Sequence, residues 1–67
     1  MQVMKYDGLK LRRLRMERGY RQTQVAAGTG ISQPTISEVE SGNNQDPPTF
    51  KRLAEFYGIE MGELIVD

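Results

Sequence analysis

Apolar residues recur along this chain in short stripes of helical period, each broken by a glycine or a polar cluster after two or three turns. Leu11 and Leu14, with Arg18 on the same stripe, predict a first helix that Asp7 or Gly8 opens and Gly19 ends. Val25, Ala26 and Thr29 fall inward on a second helix, and Ile31, Ile36 and Val39 fall inward on a third. Phe50, Leu53, Ala54 and Tyr57 stand at i, i+3, i+4 and i+7, the core stripe of a fourth helix started by Asp46-Pro47-Pro48-Thr49 and stopped by Gly58. Ile59, Met61, Leu64 and Ile65 fit a last short helix that closes the core. The pattern therefore predicts an all-α, compact five-helix bundle without strands, one domain over residues 1–67. Residues 1–6 carry no usable period, and two readings stand: Val3 and Tyr6 pack beneath the first helix, or the segment is an arm.

The segment from 22 to 41 is the most informative. Two helices that cross at roughly 90 to 120° approach closely at one point, and Ala26 is the small residue expected there. Gly30 follows where the chain must reverse through positive φ, which glycine adopts at little cost. Ser32 then offers a hydroxyl to cap the next helix, with Pro34 tolerated in its first turn, and Ser41-Gly42 ends it before the polar loop Asn43-Asn44-Gln45. Residues 22–41 are thus expected to form a helix-turn-helix.

Composition narrows the chemistry. With 67 residues, no cysteine and no histidine, the chain lacks disulfides, the commonest metal ligand and the usual general base. No metal, cofactor or catalytic role is expected: no inward carboxylate pair can be placed, and Gly28 and Gly30 sit at a turn between helices rather than after a strand. No apolar run reaches the roughly 18 residues of a membrane span, and residues 1–5 lack a signal-peptide centre, so the expected location is cytoplasmic. The abrupt end at Val66-Asp67 leaves open that the chain is part of a longer protein. Net charge is zero, yet residues 1–21 hold seven basic residues against two acidic, a net +5, and residues 22–67 hold two against seven, a net −5. One end of such a molecule can face phosphates while the other repels them.

From Leu11 onward the chain resembles the Cro and phage-repressor type of helix-turn-helix domain, the class also called xenobiotic-response-element-like. The resemblance rests on Leu11-Arg12-Arg13-Leu14-Arg15, Gln22 opening the second helix, Val25-Ala26, Gly30-Ile31-Ser32, Thr35-Ile36-Ser37, Val39-Glu40, Gly42 and Tyr57-Gly58-Ile59 before Met61 and Leu64. It implies that the helix from about Ser32 to Ser41 enters the major groove of double-stranded DNA, and that Arg15 and Glu40 form an enclosed ion pair. It also implies that Gln22 donates to a phosphate and braces Gln33.

On that footing the candidate DNA-binding residues are Gln22, Thr23, Ser32, Gln33, Pro34, Thr35, Ser37, Glu38, Asn43 and Asn44. Gln33 is the best base reader, because one amide can serve both N7 and the N6 amino group of adenine. Glu38 would accept from a cytosine amino group or stay solvated, and Thr35 and Ser37 suit phosphate or base edges. Relatives often place lysine or arginine where Asn43, Asn44 and Gln45 stand, so a shallow salt dependence is expected. A homodimer on a palindromic operator would then supply specificity, with Leu64-Ile65-Val66 as the surface for the partner or as the end of the core. The expected function is a sequence-specific DNA-binding regulator, a repressor; the alternative is an antitoxin-like or regulatory protein-interaction module that keeps the fold without DNA binding.

Overall fold

Three of the four α-helices begin where a side chain accepts from a backbone amide of the first turn that has no partner within the helix. In the computed structural model, which describes residues 5–66, Asp7 accepts from the Lys10 amide at 3.0 Å and opens α1, Gly8–Glu17. Helix α2, Gln22–Thr29, starts with Gln24 Oε1 accepting from the Arg21 amide at 2.7 Å. Ser32 caps α3, Gln33–Glu40, by accepting from the Thr35 amide, with Pro34 in the first turn. Asp46 does the same for α4, Pro47–Tyr57, accepting from both the Thr49 amide and the Thr49 hydroxyl. Gly30 ends α2 with φ of 78°, as the tight turn requires.

The apolar stripes meet in one core of Leu11, Val25, Ile36, Val39, Phe50, Leu53, Ala54, Tyr57 and Leu64. Leu14, Ala26 and Ile31 lie half-buried at its margin.

The expected count of five helices without strands is corrected by the C-terminal segment. There are four α-helices; Met61–Leu64 is a single 3-10 turn, and Ile65–Val66 is a strand, β2. It pairs antiparallel with β1, Lys5–Tyr6, in the register Lys5 to Val66 and Tyr6 to Ile65. Gly62 weakens a helix there by about 1 kcal/mol, and the β-branched Ile65 and Val66 favour extended backbone. The Asp7 amide donates to the Leu64 carbonyl at 2.6 Å and joins the two ends. On the other side of β1, the Gln45 side chain accepts from the Tyr6 amide at 2.7 Å and donates to its carbonyl at 3.1 Å. Tyr6 stacks on Phe50 with ring centres 4.9 Å apart. The first helix is therefore underlain by Tyr6 in a strand and not by a free arm over residues 5–6; Val3 lies outside the described residues.

Two further positions differ from expectation. A close approach that the sequence did not announce joins α1 to α3 at Gly8, where an added Cβ would lie 1.8 Å from the Val39 carbonyl oxygen; Ala26, on α2, is half-buried. Gly28 belongs to the last turn of α2 rather than to the connection, and Phe56 of α4 occupies the place of a side chain there: a Cβ would be 2.6 Å from Phe56 Cε1.

Candidate nucleic-acid interface

Helix α3 buries Ile36, Val39 and Glu40 and turns Ser32, Gln33, Pro34, Ser37 and Glu38 outward, uncovered by any described part of the chain. The helical period dictates this split, since positions 36, 39 and 40 fall on one side and 33, 34, 37 and 38 on the other. Thr35 is half-buried, its hydroxyl 2.8 Å from that of Ser32, so it serves the helix start. Ser37 and Glu38 make no side-chain hydrogen bond among the described residues.

Behind this face runs a continuous chain of polar contacts. Arg15 of α1 meets Glu40 in a two-pronged ion pair, Nε to Oε2 at 2.8 Å and Nη2 to Oε1 at 3.0 Å, with side chains 14 % and 5 % exposed. Arg15 Nη1 also donates to the Tyr20 carbonyl at 2.9 Å. Gln22, at the first position of α2, donates from Nε2 to Glu40 Oε1 at 3.1 Å. Gln33 donates from Nε2 to Gln22 Oε1 at 2.6 Å. Hydrogen bonding to Glu40 raises the Arg15 pKa, against the opposing effect of burial. Tyr57, packed nearby, has its pKa pushed up to about 12 by burial first and by the Glu40 charge second.

Thr23 is exposed beside Gln22, and Arg21 lies just before it. The Arg21 side chain provides no acceptor for the first amides of α2; that of Gln24 donates to the Arg21 carbonyl at 3.0 Å, and those of Gln22 and Thr23, with no partner among the described residues, are available to an anion. The loop after α3 is turned partly upon itself. Asn43 Nδ2 donates to the Ser41 hydroxyl, and the half-buried Asn44 accepts from the Asp46 amide at 2.9 Å.

The basic residues divide into two groups. Arg15 is held by Glu40, and Arg18 donates to the Tyr57 carbonyl while lying over its ring at 5.2 Å. Arg52 donates to the Thr29 carbonyl at the end of α2, and Lys10 meets Glu63 at 3.8 Å. Lys5, Arg12, Arg13, Arg21 and Lys51 have no acidic or carbonyl partner among the described residues. Sequence reasoning missed the Arg18, Arg52 and Gln45 contacts. Arg18 and Arg52 both cap a helix C-terminus, α4 at Tyr57 and α2 at Thr29, a place that suits a cation, but their distance in sequence from those carbonyls concealed both contacts.

With α3 outward and α2 packed behind it, the comparison with known proteins becomes specific: the helix-turn-helix family model matches residues 11–64. The chain belongs to the helix-turn-helix family. Within it, the domain is similar to the cryptic phage CTXphi transcriptional repressor RstR of Vibrio cholerae, 42 % identical over 60 residues that make up 87 % of this chain and 53 % of the relative. It is similar also to the HTH-type transcriptional regulator DdrOP3 of Deinococcus deserti, 40 % identical over 57 residues, 84 % of this chain and 44 % of the relative. A third relative, named as the uncharacterized HTH-type transcriptional regulator y4dJ of Sinorhizobium fredii, is 36 % identical over 66 residues, 97 % of this chain and 86 % of its own length. The domain spans about half the length of the first two relatives. No solved structure gives a significant match.

No helix among the described residues is long and apolar enough to cross a membrane. The C-terminal apolar surface expected to meet a partner is largely taken up by the domain itself. Leu64 is fully buried, Ile65 half-buried, and Val66 alone is exposed, at 44 %.

Proposed function

We propose that this helix-turn-helix domain is a sequence-specific double-stranded DNA-binding transcriptional regulator, a repressor, that reads the major groove with α3. The observation that carries the reading is the uncovered outer side of α3, on which Gln33 is held by Gln22 from the neighbouring helix. Gln33 is the adenine reader, worth about 1 to 3 kcal/mol of discrimination. Gln22, with Thr23 and the free amides at the start of α2, takes a phosphate. Ser32, Pro34, Thr35, Ser37 and Glu38 line the groove, and Asn43 and Asn44 follow the backbone beyond it. The relatives named as transcriptional regulators support the same reading.

Two copies, with reading helices about 34 Å apart, bind inverted half-sites one helical turn apart. The site of action is the cytoplasm, and no cofactor or catalytic step is involved. A protein-interaction module without DNA binding is the second reading, favoured by zero net charge and by the uncharged loop at Asn43 and Asn44. Selection from random-sequence duplexes separates the two. Enrichment of a palindromic site, with Gln33→Ala removing preference at one base pair per half-site, supports the regulator; no enrichment at low salt overturns it.

A further inference from the structure

The Glu40 carboxylate can only accept hydrogen bonds, and that restriction propagates outward to the reading face. Oε1 receives Arg15 Nη2 at 3.0 Å and Gln22 Nε2 at 3.1 Å. Because the group that faces a carboxylate must donate, Gln22 has its amino group toward Glu40 and its carbonyl oxygen toward Gln33. That oxygen accepts from Gln33 Nε2 at 2.6 Å. One N–H of Gln33 is thus used inside the protein, leaving a single N–H and the carbonyl oxygen for a base.

This residue of hydrogen-bonding capacity is selective. Adenine offers an acceptor at N7 and a donor at its N6 amino group, whereas guanine offers two acceptors, N7 and O6. One N–H beside one carbonyl oxygen matches adenine and sets oxygen against oxygen at guanine. Were the pair of glutamines reversed, Gln33 would accept from Gln22 and keep both N–H groups free, an arrangement that suits guanine as well.

The geometry points to Glu40 as a positioning residue for specificity: without touching DNA, it fixes the direction of the Gln22–Gln33 hydrogen bond and so favours adenine over guanine at the base pair under Gln33. Arg15 grips both carboxylate oxygens, so the carboxylate cannot rotate away from this task. The inference rests on the proposal that Gln33 reads a base.

The test begins with the base pair whose preference Gln33→Ala removes. Duplexes carrying each of the four base pairs there are competed against one another for the wild type, for Gln22→Met and for the double variant Arg15→Leu/Glu40→Leu. The double variant removes the carboxylate without stranding a charge, and Gln22→Met breaks the relay while leaving the ion pair intact, so it decides the matter should the double variant not fold. The wild type is expected to prefer adenine over guanine by about tenfold or more, and both variants by about threefold or less, because guanine gains relative to the two pyrimidines. An unchanged adenine-to-guanine ratio in the variants overturns the inference, as does an equal loss of preference for both purines, which would make Glu40 a brace and nothing more. If Gln33→Ala leaves preference at every base pair intact, the base-reading role fails together with what is built on it.

Discussion

Gly8 lies so close to the Val39 backbone that a Cβ at Gly8 would stand 1.8 Å from the Val39 carbonyl oxygen and 2.9 Å from its carbonyl carbon. Two effects oppose each other in Gly8→Ala. Helix propensity favours alanine by about 1 kcal/mol, but α1 and α3 must separate to admit the methyl group, and overpacking of this kind costs typically 1 to 3 kcal/mol. Backbone cannot yield as a flexible side chain can, so the clash prevails. The variant should melt below the wild type in thermal unfolding followed by circular dichroism; a higher midpoint would refute the packing argument.

Arg15→Ala should destabilise the domain by about 3 to 5 kcal/mol, since it leaves a buried carboxylate without its counter-ion. Glu40 has a side chain only 5 % exposed. The double variant Arg15→Leu/Glu40→Leu should recover most of that loss, because an apolar pair strands no charge. Urea unfolding of the three proteins measures the cycle, and equal loss in single and double variants would contradict it.

The Tyr57 hydroxyl is buried and has no hydrogen-bond partner among the described residues. Tyr57→Phe should therefore match or exceed the wild type in stability at neutral pH, while keeping the ring beneath Arg18. The phenol has its folded-state pKa raised from 10.0 to about 12, chiefly by burial. Burial penalises the phenolate and not the neutral phenol, so the group leaves stability unchanged below the unfolded pKa and lowers it as pH rises from about 10 through 12. Wild-type stability should fall more steeply than that of Tyr57→Phe across this window, as a paired denaturation series would show.

Gln45→Ala removes both hydrogen bonds to the Tyr6 backbone. Both are solvent-exposed, so the expected loss is about 1 kcal/mol. Amide hydrogen exchange at Tyr6 should accelerate at the same time, and unchanged protection there would show that the strand does not depend on Gln45.

The salt dependence of DNA binding should be shallow. Lys10, Arg15, Arg18 and Arg52 are committed to partners within the domain, which leaves five of its nine basic residues for phosphates. At about 0.9 per phosphate, the slope of log affinity against log salt should not exceed about 4.5 per protomer. Fluorescence anisotropy across a salt series measures it, and a steeper slope would mean that some internal cations are released on binding.

Helix limits were legible in the sequence wherever their cause is local. Asp7, Ser32 and Asp46 cap the amide three residues ahead, and Gly30 and Gly58 reverse the chain within one turn of the last apolar residue. The fourth-helix stripe, Phe50 to Tyr57, is buried throughout because its period depends only on neighbours along the helix. The strands left no trace: each has two residues, and their pairing joins positions 5 and 66. Gly8 reads equally well as a helix opener, and nothing in its neighbours announces Val39. At the candidate site, Gln22 and Gln33 came from the resemblance to related domains. The link from Glu40 to Gln22 did not, because it requires α1, α2 and α3 to be assembled.

The pairing of Lys5 with Val66 makes the domain nearly circular. Antiparallel neighbours stand roughly 4.5 to 5.5 Å apart, so a peptide tether of a few residues would close the backbone into a ring without disturbing the helices. Fresh termini opened in the exposed Asn43 loop would then yield a permuted chain in which the helix-turn-helix runs, uninterrupted, to the new end.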